Sequence, residues 1–271
     1  MHHNERFSIK EGHFPLLIMR KRGPINIPYI LHTARNTEEF LRILKDTFTD
    51  RIIFRISQRT KLQSKSSFWF LYRRCVITGT LAKRIITQNQ RNEGNEKLNR
   101  CITRQFQSNF SNEAMRYGIE NEKGALEIFF RIFKSQHRNS KIHIIGLTLY
   151  KEYPFIGGSP DAVLTCDCCL NSFLVEIKCP YRLKDTGLEN WQILEYFDSD
   201  QGLKKSHTYY NQINLYQGIL KTETAFFVVY AKGEVIVKMI NFNEDFFNFQ
   251  IENISQYYLN YFLPTVINKN I

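Results

Sequence analysis

Proline and glycine are scarce in this 271-residue chain, at 7 and 13 residues. With 43% apolar and 14% aromatic residues, that scarcity excludes collagen-like, low-complexity and disordered classes and permits one large domain or two small ones. Long hydrophobic runs are also missing. Nothing approaches the roughly 18 apolar residues that cross a bilayer, and the stretch at residues 14–19 is too short for a secretory signal. A soluble intracellular protein with no membrane partner is expected. The six cysteines are too few for a disulfide framework at this length, so free thiols are expected, and the seven histidines show no ligand spacing. Acidic residues are the last shortage. Asp plus Glu number 26 against 37 Lys plus Arg, and the net charge of +11 points to a polyanionic partner.

The excess charge is localised. Residues 51–110 hold 13 Lys plus Arg and only two acids, Glu93 and Glu96, so this stretch alone carries +11. Phe54, Phe68, Trp69, Phe70 and Tyr72 are interleaved with the basic residues, a pattern suited to tracking phosphates, although a solvated basic face would read the same way.

Residues 1–50 offer one amphipathic helix at 37–47 and no functional signal. A basic helical stretch is expected over 66–86, a polar surface loop over 87–100, and a long helix over 112–134. Strand-like runs follow at 142–150, 162–165 and 173–179, then a long loop at 181–202 and a helix at 204–220. A hairpin at 224–231 and 234–240 turns around Lys232-Gly233, and a last helix covers 244–263. This order predicts an α/β or α+β fold, a sheet flanked by helices.

Two carboxylates sit where apolar residues belong. At about 100° per residue, Met115, Gly118, Ala125, Leu126, Phe129 and Phe133 fall within roughly 60° of Glu122, while Glu120, Glu127 and Arg131 project to the opposite side. Burying an unpaired carboxylate costs several kcal/mol, so Glu122 needs a cation, either a basic side chain or a metal ion. In the strand at 173–179, alternation puts Leu174, Glu176 and Lys178 on one face and Val175 with Ile177 on the other. An edge strand with a solvated ion pair is one reading. The other comes from Gly157-Gly158-Ser159-Pro160-Asp161, whose tight turn could aim Asp161 at Glu176 across a hairpin.

A helix Glu, a Pro-Asp at a strand start and Glu-x-Lys on the next strand resemble the PD-(D/E)XK nuclease superfamily. Within it, the chain resembles the lambda-exonuclease type, the YqaJ viral recombinase family. Five motifs carry the resemblance: Arg73-Arg74-Cys75-Val76-Ile77-Thr78-Gly79-Thr80, Gly118-Ile119-Glu120-Asn121-Glu122, Gly158-Ser159-Pro160-Asp161, Glu176-Ile177-Lys178-Cys179-Pro180 and Tyr209-Tyr210-Asn211-Gln212.

The resemblance implies a restriction-endonuclease-like core with a central mixed five-stranded sheet. It divides the chain into an N-terminal segment of unknown role (1–50) and a nuclease domain (51–271), with a DNA-end-binding part at 51–110 and a catalytic core at 111–265. It implies that Glu122, Asp161, Glu176 and the Ile177 carbonyl hold Mg²⁺ or Mn²⁺, two ions with DNA bound. Lys178 would orient or deprotonate the attacking water, its pKa being open to depression by metals and burial, and Gln212 would hold the water or a metal-bound ligand. Arg73 and Thr80 would contact a 5′ phosphate, Thr80 standing where relatives usually carry Ser. Ser159 would lie beside the metal, or serve only as the turn residue before Pro160, and Tyr209 would contact substrate.

The implied function is metal-dependent 5′ to 3′ exonucleolytic hydrolysis of double-stranded DNA ends in recombination or repair, with a single-strand annealing or recombination protein as partner and a homotrimer as assembly. A eukaryotic host would place it in the nucleus. The rivals are an endonuclease and a DNA-binding module that has lost catalysis. Cys166, Cys168 and Cys169 precede the Glu176 strand and Cys179 follows it. Their C-x-C-C spacing matches no zinc ribbon or finger, so no zinc site is assigned.

Overall fold

The computed structural model describes residues 25–104 and 112–267, so the stretch at 14–19 and the end of the basic segment at 105–110 lie outside the described residues. The elements run in order α1 (Ile27–Thr33), α2 (Thr37–Thr47), α3 (Asp50–Arg59), α4 (Ser67–Arg73), β1 (Ile77–Thr78), α5 (Gly79–Asn89), α6 (Glu96–Arg104) and α7 (Glu113–Gln136). Next come β2 (Lys141–His143), β3 (Thr148–Leu149), β4 (Ile156–Gly158), β5 (Ala162–Thr165), β6 (Phe173–Lys178), α8 (Thr208–Leu220), β7 (Thr224–Ala231), β8 (Glu234–Asn241) and α9 (Glu244–Tyr257). A π-turn at Tyr258–Phe262 leads into α10 (Leu263–Ile267).

The main sheet has the order β2-β5-β6-β7-β8 and is mixed, with β6 and β7 parallel and the other pairs antiparallel. This is the expected α/β fold with a five-stranded mixed sheet flanked by helices. β6 is therefore the central strand, which rules out the edge-strand reading of Glu176 and Lys178. Its two faces behave as the alternation predicts. Val175 and Ile177 pack with Ala125, Phe129 and Phe133 of α7, while Leu174 packs with Ile213 and Tyr216 of α8.

A smaller sheet, β1-β4-β3, pairs β1 parallel to β4, with Thr78 opposite Gly157. β4 runs straight into Ser159-Pro160-Asp161 and then β5, so this turn joins the two sheets. α1 and α2 bury Ile27, Ile30, Phe40 and Leu44 in the same apolar cluster as Tyr257, Tyr258 and Phe262.

Several expected elements are redrawn. The helix over 66–86 is two helices interrupted by β1, because Cys75 adopts φ +62°, a left-handed conformation that ends α4 and redirects the chain. The loop over 87–100 shrinks to the turn between α5 and α6, since the apolar Leu98 and Ile102 give α6 a buried side. The run at 142–150 splits into β2 and β3, which belong to different sheets, and β4 was not expected at all. Met115 is 45% exposed and no atom lies within 4 Å of a Cβ built on Gly118, so the apolar face of α7 is covered by the sheet only from Ala125 onward.

Candidate active site

Register brings the acidic groups together. Ala162 pairs with Val175, so Asp161, one residue before β5, stands beside Glu176 at the end of the hairpin. The Ile177 backbone N–H donates to Asp161 Oδ2 at 2.5 Å, fixing the carboxylate against the strand. Glu122, half-buried on α7, comes in from the opposite layer, near enough to Asp161 and Glu176 for their charges to act on one another. Three chain segments thus place Glu122, Asp161 and Glu176 in one cluster.

Glu176 is 2% exposed, and its Oε1 accepts from Lys178 Nζ at 2.5 Å and from Gln212 Nε2 at 2.6 Å. Its Oε2 is buried with no hydrogen-bond partner among the described residues. Gln212 is held in turn by α5. A Cβ on Gly79 would lie 2.7 Å from Gln212 Cγ and 2.9 Å from the Tyr216 ring, so the absent side chain lets the two helices close on each other. The Lys178 ammonium lies 4.9 Å from the Tyr209 ring centroid, which makes Tyr209 a support for Lys178 in this state of the chain.

Electrostatics set the protonation. Burial, followed by the charge of Glu176, raises Glu122 above the ordinary carboxylate range. Burial and the charges of Glu176 and Glu122 hold Asp161 well above it. Burial by itself would lower Lys178, but Glu176 and Asp161 outweigh it and hold the ammonium above its ordinary value. Next to two carboxylates and without a bound cation, Lys178 is therefore held as an ammonium.

Three carboxylates facing one ammonium leave the cluster short of positive charge, and the orphaned Glu176 Oε2 is an oxygen with a desolvation cost and no partner. An all-oxygen set of this kind fits a hard divalent cation, Mg²⁺ or Mn²⁺. Cys179 borders the cluster, but burial, reinforced by Glu122 and Asp161, pushes its thiol up to about 12, so it offers no thiolate.

A second row of polar groups runs beside the carboxylates. Arg73 is 5% exposed, lies 3.9 Å over the Trp69 ring and donates from Nη2 to Thr78 Oγ1 at 3.3 Å. Thr78 Oγ1 is 3.1 Å from Thr80 Oγ1. Burial lowers the Arg73 guanidinium to about 10, which leaves it charged at neutral pH. Trp69 Nε1 donates to Ser159 Oγ at 3.0 Å, tying this row to the turn that delivers Asp161. From the same basic segment, Lys65 lies close enough to stabilise the charge on Glu122.

The structure thus gathers Glu122, Asp161, Glu176, Ile177, Lys178 and Gln212 in one cluster, and sets Arg73, Thr80 and Ser159 alongside. Trp69, Thr78 and Tyr216 had no site role in the sequence analysis, although Trp69 belongs to the aromatic pattern of the basic segment, Thr78 lies inside the first motif, and Tyr216 stands one helical turn after Gln212 on the same face.

Comparison with known proteins follows the same lines. The chain is similar in structure to LHK-Exo, an alkaline exonuclease from Laribacter hongkongensis solved with dAMP, at 20% identity, 73% coverage of this chain, 93% of that chain and a TM-score of 0.54. It is also similar to the shutoff and exonuclease protein of Kaposi's sarcoma associated herpesvirus, at 10% identity, 80% and 74% coverage and a TM-score of 0.52. A SOX–RNA complex from that virus gives 11% identity, 81% and 74% coverage and a TM-score of 0.56. At these identities the likeness establishes a shared fold. No curated protein gives a significant sequence match. Residues 68–220, more than half of the chain and the span holding both polar rows, match the family described as the YqaJ-like viral recombinase domain, and the chain belongs to that family.

Proposed function

We propose that the protein is a metal-dependent deoxyribonuclease that hydrolyses phosphodiester bonds 5′ to 3′ from double-stranded DNA ends. The observation that carries this reading is the convergence of Glu122, Asp161 and Glu176 beside Lys178, with Glu176 Oε2 buried and unpartnered. Glu122, Asp161, Glu176 and the Ile177 carbonyl would hold Mg²⁺ or Mn²⁺, two ions with DNA bound. Such ions supply charge neutralisation at the scissile phosphate and a water of lowered pKa.

The chain's own groups do the rest. Lys178 presents its ammonium protons to orient the attacking water, a task that suits its raised pKa. Gln212 fixes the Glu176 carboxylate through Oε1 and leaves Oε2 for the cation. Arg73, stacked on Trp69 and linked through Thr78 to Thr80, forms a donor row for a terminal 5′ phosphate. Ser159 is held by Trp69 near the reacting phosphate. The basic segment 51–110 supplies the remaining phosphate contacts and a DNA partner, and a ring-shaped homotrimer would account for processive digestion. Retention of every member of the cluster favours this reading over a non-catalytic DNA-binding module.

The deciding experiment digests 5′- and 3′-end-labelled linear duplexes and closed-circular DNA, with Mg²⁺ or with chelator. The proposal expects Mg²⁺-dependent release of nucleotides from 5′ ends of linear DNA and an intact circle. Nicking of the circle would turn the reading to an endonuclease. Absence of cleavage with either Mg²⁺ or Mn²⁺ would leave only binding.

A further inference from the structure

A second cluster lies far from the carboxylates, in the connection between β5 and β6. Cys166, Cys168 and Cys169 sit there, and His137, the residue that ends α7, faces all three. His137 Nδ1 is 3.4 Å from Cys166 Sγ, 3.4 Å from Cys168 Sγ and 3.5 Å from Cys169 Sγ. The Cys166 and Cys168 sulfurs are 3.5 Å apart, and all four ligand atoms lie within 4.8 Å of one another. A tetrahedral zinc with Zn–S of about 2.3 Å and Zn–N of about 2.0–2.1 Å has N···S edges of about 3.6 Å and S···S edges of about 3.8 Å. The three N···S edges and the Cys166–Cys168 edge are already close to that size. Glu122 lies 15 residues earlier on α7, about 22 Å along the helix axis, so the two clusters do not overlap.

We propose that His137, Cys166, Cys168 and Cys169 form a structural zinc site that clips the end of α7 to the β5–β6 hairpin. Three sulfurs and an imidazole are soft ligands that favour zinc, in contrast to the oxygens around Glu176. Four protein ligands close the site and leave no position for substrate, as in structural zinc sites. The frame is prepared on both sides. The His137 ring stacks on Phe133 with centroids 4.0 Å apart and planes 14° apart. The Asp167 N–H donates to the Arg138 carbonyl at 2.9 Å, and Asn139 Nδ2 donates to Asp167 Oδ2 at 2.6 Å.

Cys179 is outside the site, because it follows the opposite end of the six-residue strand β6, about 20 Å from the cysteine loop. The clip joins the helix that carries Glu122 to the hairpin that carries Asp161 and Glu176, so it would fix the two halves of the candidate active site relative to each other.

The test uses the full chain purified in reductant without chelator, with metal counted by elemental analysis. Protein isolated metal-free is first offered one equivalent of Zn²⁺. One tightly held zinc per chain is expected, and replacement by Co²⁺ should give the visible bands of a tetrahedral cobalt–thiolate centre. Cys168→Ser, and separately the pair Cys166→Ser and Cys169→Ser, should weaken zinc binding at least about tenfold. Glu122→Gln should keep the zinc, which separates this site from the proposed nuclease centre. Should the cysteine variants not fold, the cobalt spectrum of the unaltered chain still counts the thiolate ligands. Substoichiometric zinc after reconstitution, zinc retained by the paired variant, a disulfide within the cluster in reductant, or bound iron with cluster absorption would overturn the proposal.

Discussion

Glu176 shows how one side chain can carry two obligations. Its Oε1 is saturated by Lys178 and Gln212 while its Oε2 is dry and unpartnered. Leaving a buried acceptor unsatisfied costs about 1–3 kcal/mol, more for a charged group, so the site is poised to bind a cation. Lys178 is the matching donor. Lys178→Ala should lower cleavage by about 100-fold or more in single-turnover digestion, and an unchanged rate would remove its role. The role proposed for Arg73 is in binding. Arg73→Ala should erase a preference of roughly 10- to 100-fold for 5′-phosphorylated over 5′-hydroxyl ends, measured as the ratio of the two rates, since a charge-assisted bond to phosphate is worth about 1.5–3 kcal/mol. Equal losses on both ends would make Arg73 a general phosphate contact.

At the scale of elements, the site depends on how closely α8 approaches the small sheet. A Cβ on Gly158 would lie 2.2 Å from the Tyr216 ring, nearer than any real contact, and Tyr216 hydrogen-bonds Gln212 across one turn. Gly158→Ala should therefore cost about 1–3 kcal/mol in urea unfolding and reduce cleavage by moving Gln212. Combining it with Tyr216→Leu, which relieves the clash, should recover stability, and failure to recover would place the strain elsewhere. The two-residue pairing of β1 with β4 has a similar importance. It sets Thr78 opposite Gly157 and so lays the Arg73 row beside the turn that delivers Asp161.

For the whole molecule, the three carboxylates come from the two layers around β6, so a cation bound among them ties α7 to the hairpin. Ligands that bind only the folded state stabilise it by mass action, about 2.7 kcal/mol at a hundredfold excess over Kd. Mn²⁺ should thus raise Tm relative to chelator in the native sequence and have no such effect in Asp161→Asn. An equal rise in both would locate the stabilising ion elsewhere. Zinc at the far end of α7 would act through the same elements, and the Glu122→Gln chain, which keeps zinc, distinguishes the two contributions. Among the described residues no helix is long and apolar enough to cross a membrane.

Local pattern by itself determined what one segment can encode. The 24-residue periodicity of α7 singled out Glu122, the alternation of β6 put Glu176 and Lys178 on one face, and Gly-Gly-Ser-Pro-Asp marked the turn before β5. Tertiary structure decided what depends on distant partners. β4 is only three residues, two of them glycine, and gains its strand character by pairing with β1 and β3. Burial lowers Lys178 but the charges of Glu176 and Asp161 outweigh it, and that enclosure is set by α8 and the hairpin together. His137 reaches Cys166, Cys168 and Cys169 across 29 to 32 residues because α7 ends where β5 ends, a meeting that no spacing along the chain announces. Periodicity reports which way a side chain faces, whereas ligand sets and pKa shifts arise from groups brought together by packing.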